Sequence, residues 1–201
     1  ETVSVLLAAG ASVDLGASNG MSPLFIACVR GHKETAAVLL AAGAAADQAM
    51  NDGATPLWVA CGRGHTETVA MLLAAGAGAN HHDSTNGSTP LFIACVRGYK
   101  DAASMLLSAG AAVDRGDENG ATPLIAACCR GHTEVATMLL AAGASLDGME
   151  DHEATPLLVA CEGGHTDTAA MLVASGAAVN QATKQGATPL YITCLRGHTE
   201  T

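Results

Sequence analysis

Pro23, Pro56, Pro90, Pro123, Pro156 and Pro189 are all the prolines of the chain, and they stand 33, 34, 33, 33 and 33 residues apart. Six of the seven cysteines follow five residues after a proline: Cys28, Cys61, Cys95, Cys128, Cys161 and Cys194. A glycine follows eight residues after every proline, from Gly31 to Gly197, and another follows twenty after each of the first five, from Gly43 to Gly176. Three residue types locked to one period define a tandem repeat. Its clearest instance is the phrase SPLFIACVRGHK (22–33), which returns as TPLFIACVRGYK (89–100) with ten of twelve positions identical.

Each unit reads as two short helices. Ser or Thr before Pro is a good N-cap, and Pro suits the first helical position. The Gly eight residues later accepts the left-handed conformation that closes a helix. A second segment, such as HTETVAMLLAAG (65–76), has apolar residues at helical spacing and ends on another Gly. Between units, stretches such as NDG (51–53) and ENG (118–120) are turn signals. Helices of two or three turns do not stand alone in water, so each must bury its apolar face on the next unit, as in a solenoid. Nearly half of the 201 residues are apolar, yet only five are aromatic. Small residues at Ala27, Ala60 and Ala94 predict a thin core with closely spaced helices.

The stretch GATPLWVACGRGHTETVAMLLAAGAGAN (53–80) resembles an ankyrin repeat, whose pattern is roughly G-x-T-P-L-H-x-A-A-x-x-G-H-x-x-x-x-x-x-L-L-x-x-G-A-x-x-N/D. The resemblance recurs in every unit and covers the whole chain. It implies an all-α solenoid of stacked helix-turn-helix units joined by β-hairpin-like fingers. The units divide as a partial repeat at 1–16, full repeats at 17–49, 50–83, 84–116, 117–149 and 150–182, and a partial repeat at 183–201. Four departures stand out. The family's His two residues after Pro is replaced by Phe25, Trp58, Phe92, Ile125, Leu158 and Tyr191, so apolar packing is expected where the family uses hydrogen bonds between fingers. The second Ala of the family's pair is Cys in all six units. One residue is inserted in the finger HHDSTNG (81–87). Glu153 stands where the other fingers carry Gly. Neither end resembles a polar capping repeat. The expectation is a segment of a longer array whose uncapped ends associate with one another.

The net charge of −10, with nine basic residues, argues against a nucleic-acid surface. Apolar runs such as Val69 to Ala79 are too short to span a bilayer. The cysteine register fits reduced, buried thiols and an intracellular, cytoplasmic protein. Cys and His recur as C-x3-H, for example Cys28/His32 and Cys61/His65. Two ligands do not complete a zinc site, and equivalent atoms of stacked helices lie on the order of 10 Å apart. No metal or cofactor is expected. The resemblance gives the His a different role, opening the second helix and ordering the turn, and Tyr99 replaces it without other change. No nucleophile has a base and orienting acid outside the repeat register, and no phosphate-binding glycine motif occurs. No enzyme activity is expected.

The candidates for function lie on exposed positions. Arg30, Arg63, Arg97, Arg130 and Arg196 recur seven residues after Pro. Two roles fit them: satisfying helix C-termini, or forming a row of partner contacts. The unit at Pro156 breaks the row with Glu162-Gly163. From Asp114 to Glu162 nine acidic residues face Arg115 and Arg130, a net −7. Here the fingers DRGDE (114–118) and DGMEDHE (147–153) place Asp117, Glu118, Glu150, Asp151, His152 and Glu153 on one edge, as a solvated surface or a dock for a basic partner. Cys129 faces the groove where other units carry Val29, Gly62, Val96 and Leu195. His81-His82 is an exposed pair in the inserted finger. The resemblance implies a protein-interaction module that uses finger tips and the concave helix face. A regulatory or targeting array within a larger kinase, channel or ubiquitin ligase, and a structural spacer, remain alternatives.

Overall fold

The computed structural model describes residues 1–147 and 154–198. Among these the chain forms twelve helices and no strand. Six start at the register prolines: α2 (Pro23–Arg30), α4 (Pro56–Arg63), α6 (Pro90–Arg97), α8 (Pro123–Cys129), α10 (Pro156–Gly163) and α12 (Pro189–Arg196). The others are α1 (Thr2–Ala8), α3 (Lys33–Ala41), α5 (Thr66–Ala74), α7 (Lys100–Ser108), α9 (Thr133–Ala141) and α11 (Thr166–Ala174).

The capping chemistry read from the sequence is what forms these helices. Ser22, Thr55, Thr89, Thr122, Thr155 and Thr188 sit in extended backbone, and each hydroxyl accepts from the N–H three residues on. Such a cap is worth about 1 kcal/mol over Ala. The glycines at the other end adopt φ between 68° and 75° at Gly31, Gly64, Gly98, Gly164 and Gly197.

These glycines serve a second purpose that the spacing alone does not reveal. The rings of His65, Tyr99, His132, His165 and His198 lie over Gly31, Gly64, Gly98, Gly131 and Gly164 of the preceding unit. A Cβ on any of those glycines would come within 2.6 to 2.9 Å of the ring. His132, His165 and His198 also donate from Nε2 to the carbonyls of Val96, Cys129 and Glu162, at 3.3, 3.1 and 3.1 Å. The turn ring therefore joins two units instead of ordering only its own turn, and it satisfies a carbonyl at a helix end.

The first helices of successive units stack in one row, and α3, α5, α7, α9 and α11 stack in a second, with α1 against α3. Leu24, Leu57, Leu91 and Leu124 from the first row, and Leu72, Leu106, Leu139 and Leu172 from the second, are fully buried. Each such leucine contributes roughly 1.5–3 kcal/mol of transfer free energy. Ala60, Ala94, Ala127 and Ala160 have no exposed surface, which is what lets the first helices approach closely.

The fingers are hairpin-like turns stitched side by side. Asn51 N–H donates to Asn19 O at 3.0 Å, Ser84 N–H to Asp52 O at 2.7 Å, and Glu118 N–H to Asn86 O at 2.8 Å. A side-chain ladder runs alongside. Asp14, Asp47, Asn80 and Asp114 accept from the backbone N–H of Ala45, Gly78, Ala112 and Ser145, at 3.0, 2.9, 2.8 and 3.0 Å. At the position that departs from the family's His, Phe25, Phe92, Ile125 and Leu158 are buried as expected. Trp58 differs, because it keeps a polar link: its indole N–H donates to Ser88 Oγ at 3.0 Å. Tyr191 is 57% exposed.

Candidate interaction surface

Arg30, Arg63 and Arg97 project from the last turns of α2, α4 and α6, and Arg130 is the C-cap of α8. All four are exposed. Lys33, His81, Lys100 and Arg196 form ion pairs, whereas Arg30, Arg63, Arg97 and Arg130 form none among the described residues, so the row from Arg30 to Arg130 is left with uncompensated charge. Arg196 differs from the others because it pairs with Glu162. The acid that breaks the row is thus neutralised by the next member of it.

The acidic candidates have separate local duties. The Asp117 carboxylate accepts from Asn119 and Ala121 N–H at 3.0 and 2.9 Å, which closes its own finger. Asp114 belongs to the inter-unit ladder. Glu118 is exposed, with its backbone bonded to the preceding finger. Glu150, Asp151, His152 and Glu153 lie outside the described residues.

The cysteines of the register are structural. Cys28, Cys61, Cys95, Cys128 and Cys161 are buried, and burial pushes the thiols of Cys28, Cys95 and Cys128 up to about 12. A thiol held that far up supplies no thiolate for nucleophilic attack or metal binding at neutral pH. No group of three His, Cys, Asp or Glu side chains gathers as a metal site among the described residues. Cys194 departs from the buried slot and is exposed, because no helix beyond α12 covers it among those residues. Cys129 is exposed, as its position at the groove predicts.

A cleft that the sequence reading did not single out lies between α4 and α6. Trp58, Gly62, Arg63, Ile93, Arg97 and Tyr99 line a volume of about 440 Å³. Gly62 opens it, since other units place Val29, Val96, Cys129, Glu162 or Leu195 there. A Cβ at Gly62 would stand 3.2 Å from Ile93 Cγ1. The Trp58 wall is fixed from the inserted finger. Ser88, which receives the indole N–H, donates its own proton to Asp83 Oδ2. Asp83 is 2% exposed and also accepts from the backbone N–H groups of Thr85 and Asn86 at 2.8 and 3.1 Å, and from the Thr85 hydroxyl. Burial acts to raise its carboxyl, but these hydrogen bonds outweigh it and hold the group below the ordinary Asp range. Three sequence signals marked the place: the only Trp, the only Gly at its helix position, and the only inserted finger.

No helix among the described residues is long and apolar enough to cross a membrane. No curated protein sequence matches the chain. The crystal structure of the human ASB11 ankyrin repeat domain is similar at a TM-score of 0.85 and 31% identity, over 94% of this chain and 84% of that one. The family model described as ankyrin repeats in three copies matches residues 1–83, 70–150 and 146–201. With the Pro-capped first helices, the Gly-ring stacking and the stitched fingers, these matches place the chain in the ankyrin-repeat family.

Proposed function

We propose that this array binds a protein partner through its finger tips and the exposed face of its first helices. Ankyrin arrays are protein-interaction modules, and an extended stacked face suits an extended partner. The observation that carries the reading is the exposed row Arg30, Arg63, Arg97 and Arg130, charged and unpaired in a chain of net charge −10. A row kept only to cap helices has no need to stay clear of nearby acids. Farther along the array, around Arg130 and beyond it, the acids between 114 and 162 receive a basic stretch of the partner, led by Glu118 and the 150–153 finger. Glu162 contributes less, because Arg196 already holds it. The reduced, buried thiols fit a cytoplasmic setting.

The test is capture of partners on the immobilised chain, compared with a variant carrying Glu118→Gln, Glu150→Gln, Asp151→Asn and Glu153→Gln. Partners lost from the variant, and lost from the native chain as salt rises, support the acidic dock. An identical set of partners at low salt removes it.

A second reading rests on the two ends. α1 exposes Val5 and Leu6 at 67% and 55%, and α12 exposes Leu190 and Leu195 at 72% and 64%. These faces meet head to tail between copies, so the mass measured by light scattering should rise with concentration. A constant monomer mass would rule this out.

A further inference from the structure

The cleft between α4 and α6 has a composition that neither the acidic fingers nor the remainder of the Arg row shares. Its walls are an indole and the Ile93 side chain, and its rim carries Arg63, Arg97 and the Tyr99 ring. An apolar floor beneath two unpaired cations is complementary to a ligand with an apolar side chain next to a carboxylate. We propose that this cleft docks a short acidic peptide segment, seating one aliphatic side chain against Trp58 and Ile93 while its flanking carboxylates meet Arg63 and Arg97. The inference rests on the protein-binding reading above and names the chemistry recognised at one place within it.

Three observations favour this occupant. The volume of about 440 Å³ holds one side chain and its neighbours rather than a folded surface. The charge that draws an anion is local, since Arg63 and Arg97 form no ion pair among the described residues, and the net −3 of residues 1–113 is smaller than the net −7 that lies beyond. A polyanion such as nucleic acid would have to lie along that acidic remainder. The Trp58 ring is also held before any ligand arrives. The Asp83 carboxylate orients Ser88, and Ser88 holds the indole N–H, so the wall loses little freedom on binding.

Trp58 is the only tryptophan, so its fluorescence reports the cleft directly. The probes are ten-residue synthetic peptides: one of Glu and Asp with a central Leu, one with that Leu replaced by Ser, and one with Lys in place of the acids. The Leu-containing acidic peptide should change Trp58 emission saturably, and the Ser and Lys peptides should bind at least about tenfold more weakly, as loss of an apolar anchor or of charge pairing implies. Arg63→Gln with Arg97→Gln should weaken the response by about tenfold or more and reduce its salt dependence. Gly62→Val, which fills the notch with a residue the same position carries at Val29 and Val96, should weaken it similarly with circular dichroism unchanged. Lys33→Gln, which removes an exposed cation outside the cleft, should leave it intact. The proposal is overturned if no peptide gives a saturable change, if the Ser peptide binds as well as the Leu peptide, or if the double Arg variant binds like the native chain. If partner capture still depends on the acidic fingers in that event, the docking reading of the array stands and only the cleft is lost.

Discussion

α2 and α6 carry the same eight residues, PLFIACVR, yet present different surfaces. Toward the core they are equivalent. Leu24 and Leu91 are fully buried, as are Cys28 and Cys95, and Phe25 and Phe92 are 4% and 9% exposed. Toward solvent they diverge. Ile26 is 40% exposed, whereas Ile93 packs into a cleft beside Trp58 and Gly62. In a stacked array a unit's own sequence determines its core, and its neighbour determines what its outer face can bind.

The strongest test of inner equivalence is Leu24→Ala against Leu91→Ala. Each should cost about 2–5 kcal/mol in urea unfolding, and the two costs should agree within about 1 kcal/mol. A large gap would show that the two phrases are not interchangeable inside. The outer difference is tested by Asp83→Ala, which has no counterpart beside α2. Loss of that acceptor leaves the buried Ser88 hydroxyl proton without a partner, at a cost of about 1–3 kcal/mol. Trp58 emission should shift to the red. The carboxyl of Asp83 is held below its ordinary value, so the stability it gives is present above about pH 4, the unfolded Asp value, and drains as acid passes through the lower, folded value. The acid unfolding curves of the native chain and the variant should therefore converge as pH falls. Curves that stayed parallel would mean Asp83 is not the group responsible.

Smaller effects should appear in the thiols. Cys28 and Cys95 are both raised to about 12 by burial, so the stability from keeping them protonated is complete below the unfolded thiol value near 8.5. It is lost as pH climbs from there toward 12. At neutral pH, iodoacetamide should label Cys129 about a hundredfold faster than either buried thiol, with Cys28 and Cys95 reacting at similar rates set by local opening. Mass spectrometry of the labelled peptides reads the order. The smallest change is Tyr99→His, which makes the second phrase more like the first. Its ring still stacks on Gly64, so the thermal midpoint should correspond to less than about 1 kcal/mol.

Much of this was legible in the residues. Pro, the preceding Ser or Thr, and the two glycines place both ends of each first helix and the end of each second helix, because each acts through local backbone chemistry within one unit. The Cys slot was readable because its period matched that of Pro. The ring over the preceding glycine was not legible, since the two residues belong to different units and nothing in their spacing says which way the ring turns. The cleft was hidden for the same reason. Trp58, Gly62 and the inserted finger stand out one by one in the sequence, but that they share a cleft with Ile93 and Arg97 shows only once α6 is stacked on α4. The pairing of Glu162 with Arg196 likewise spans two units, and it turns an apparent break in the Arg row into a local charge balance.

The side-chain ladder of Asp14, Asp47, Asn80 and Asp114 joins residues 31 or 32 positions apart at every rung. Trp58 to Ser88 spans 30, and His165 to the Cys129 carbonyl spans 36. Each of these bonds thus closes nearly the same length of chain. The entropy cost of closing a segment grows with the logarithm of its length, so every unit added to such an array meets the same modest closing penalty as the last. Folding can start at any pair of neighbours and spread outward, and the rate of adding a unit need not slow as the array grows.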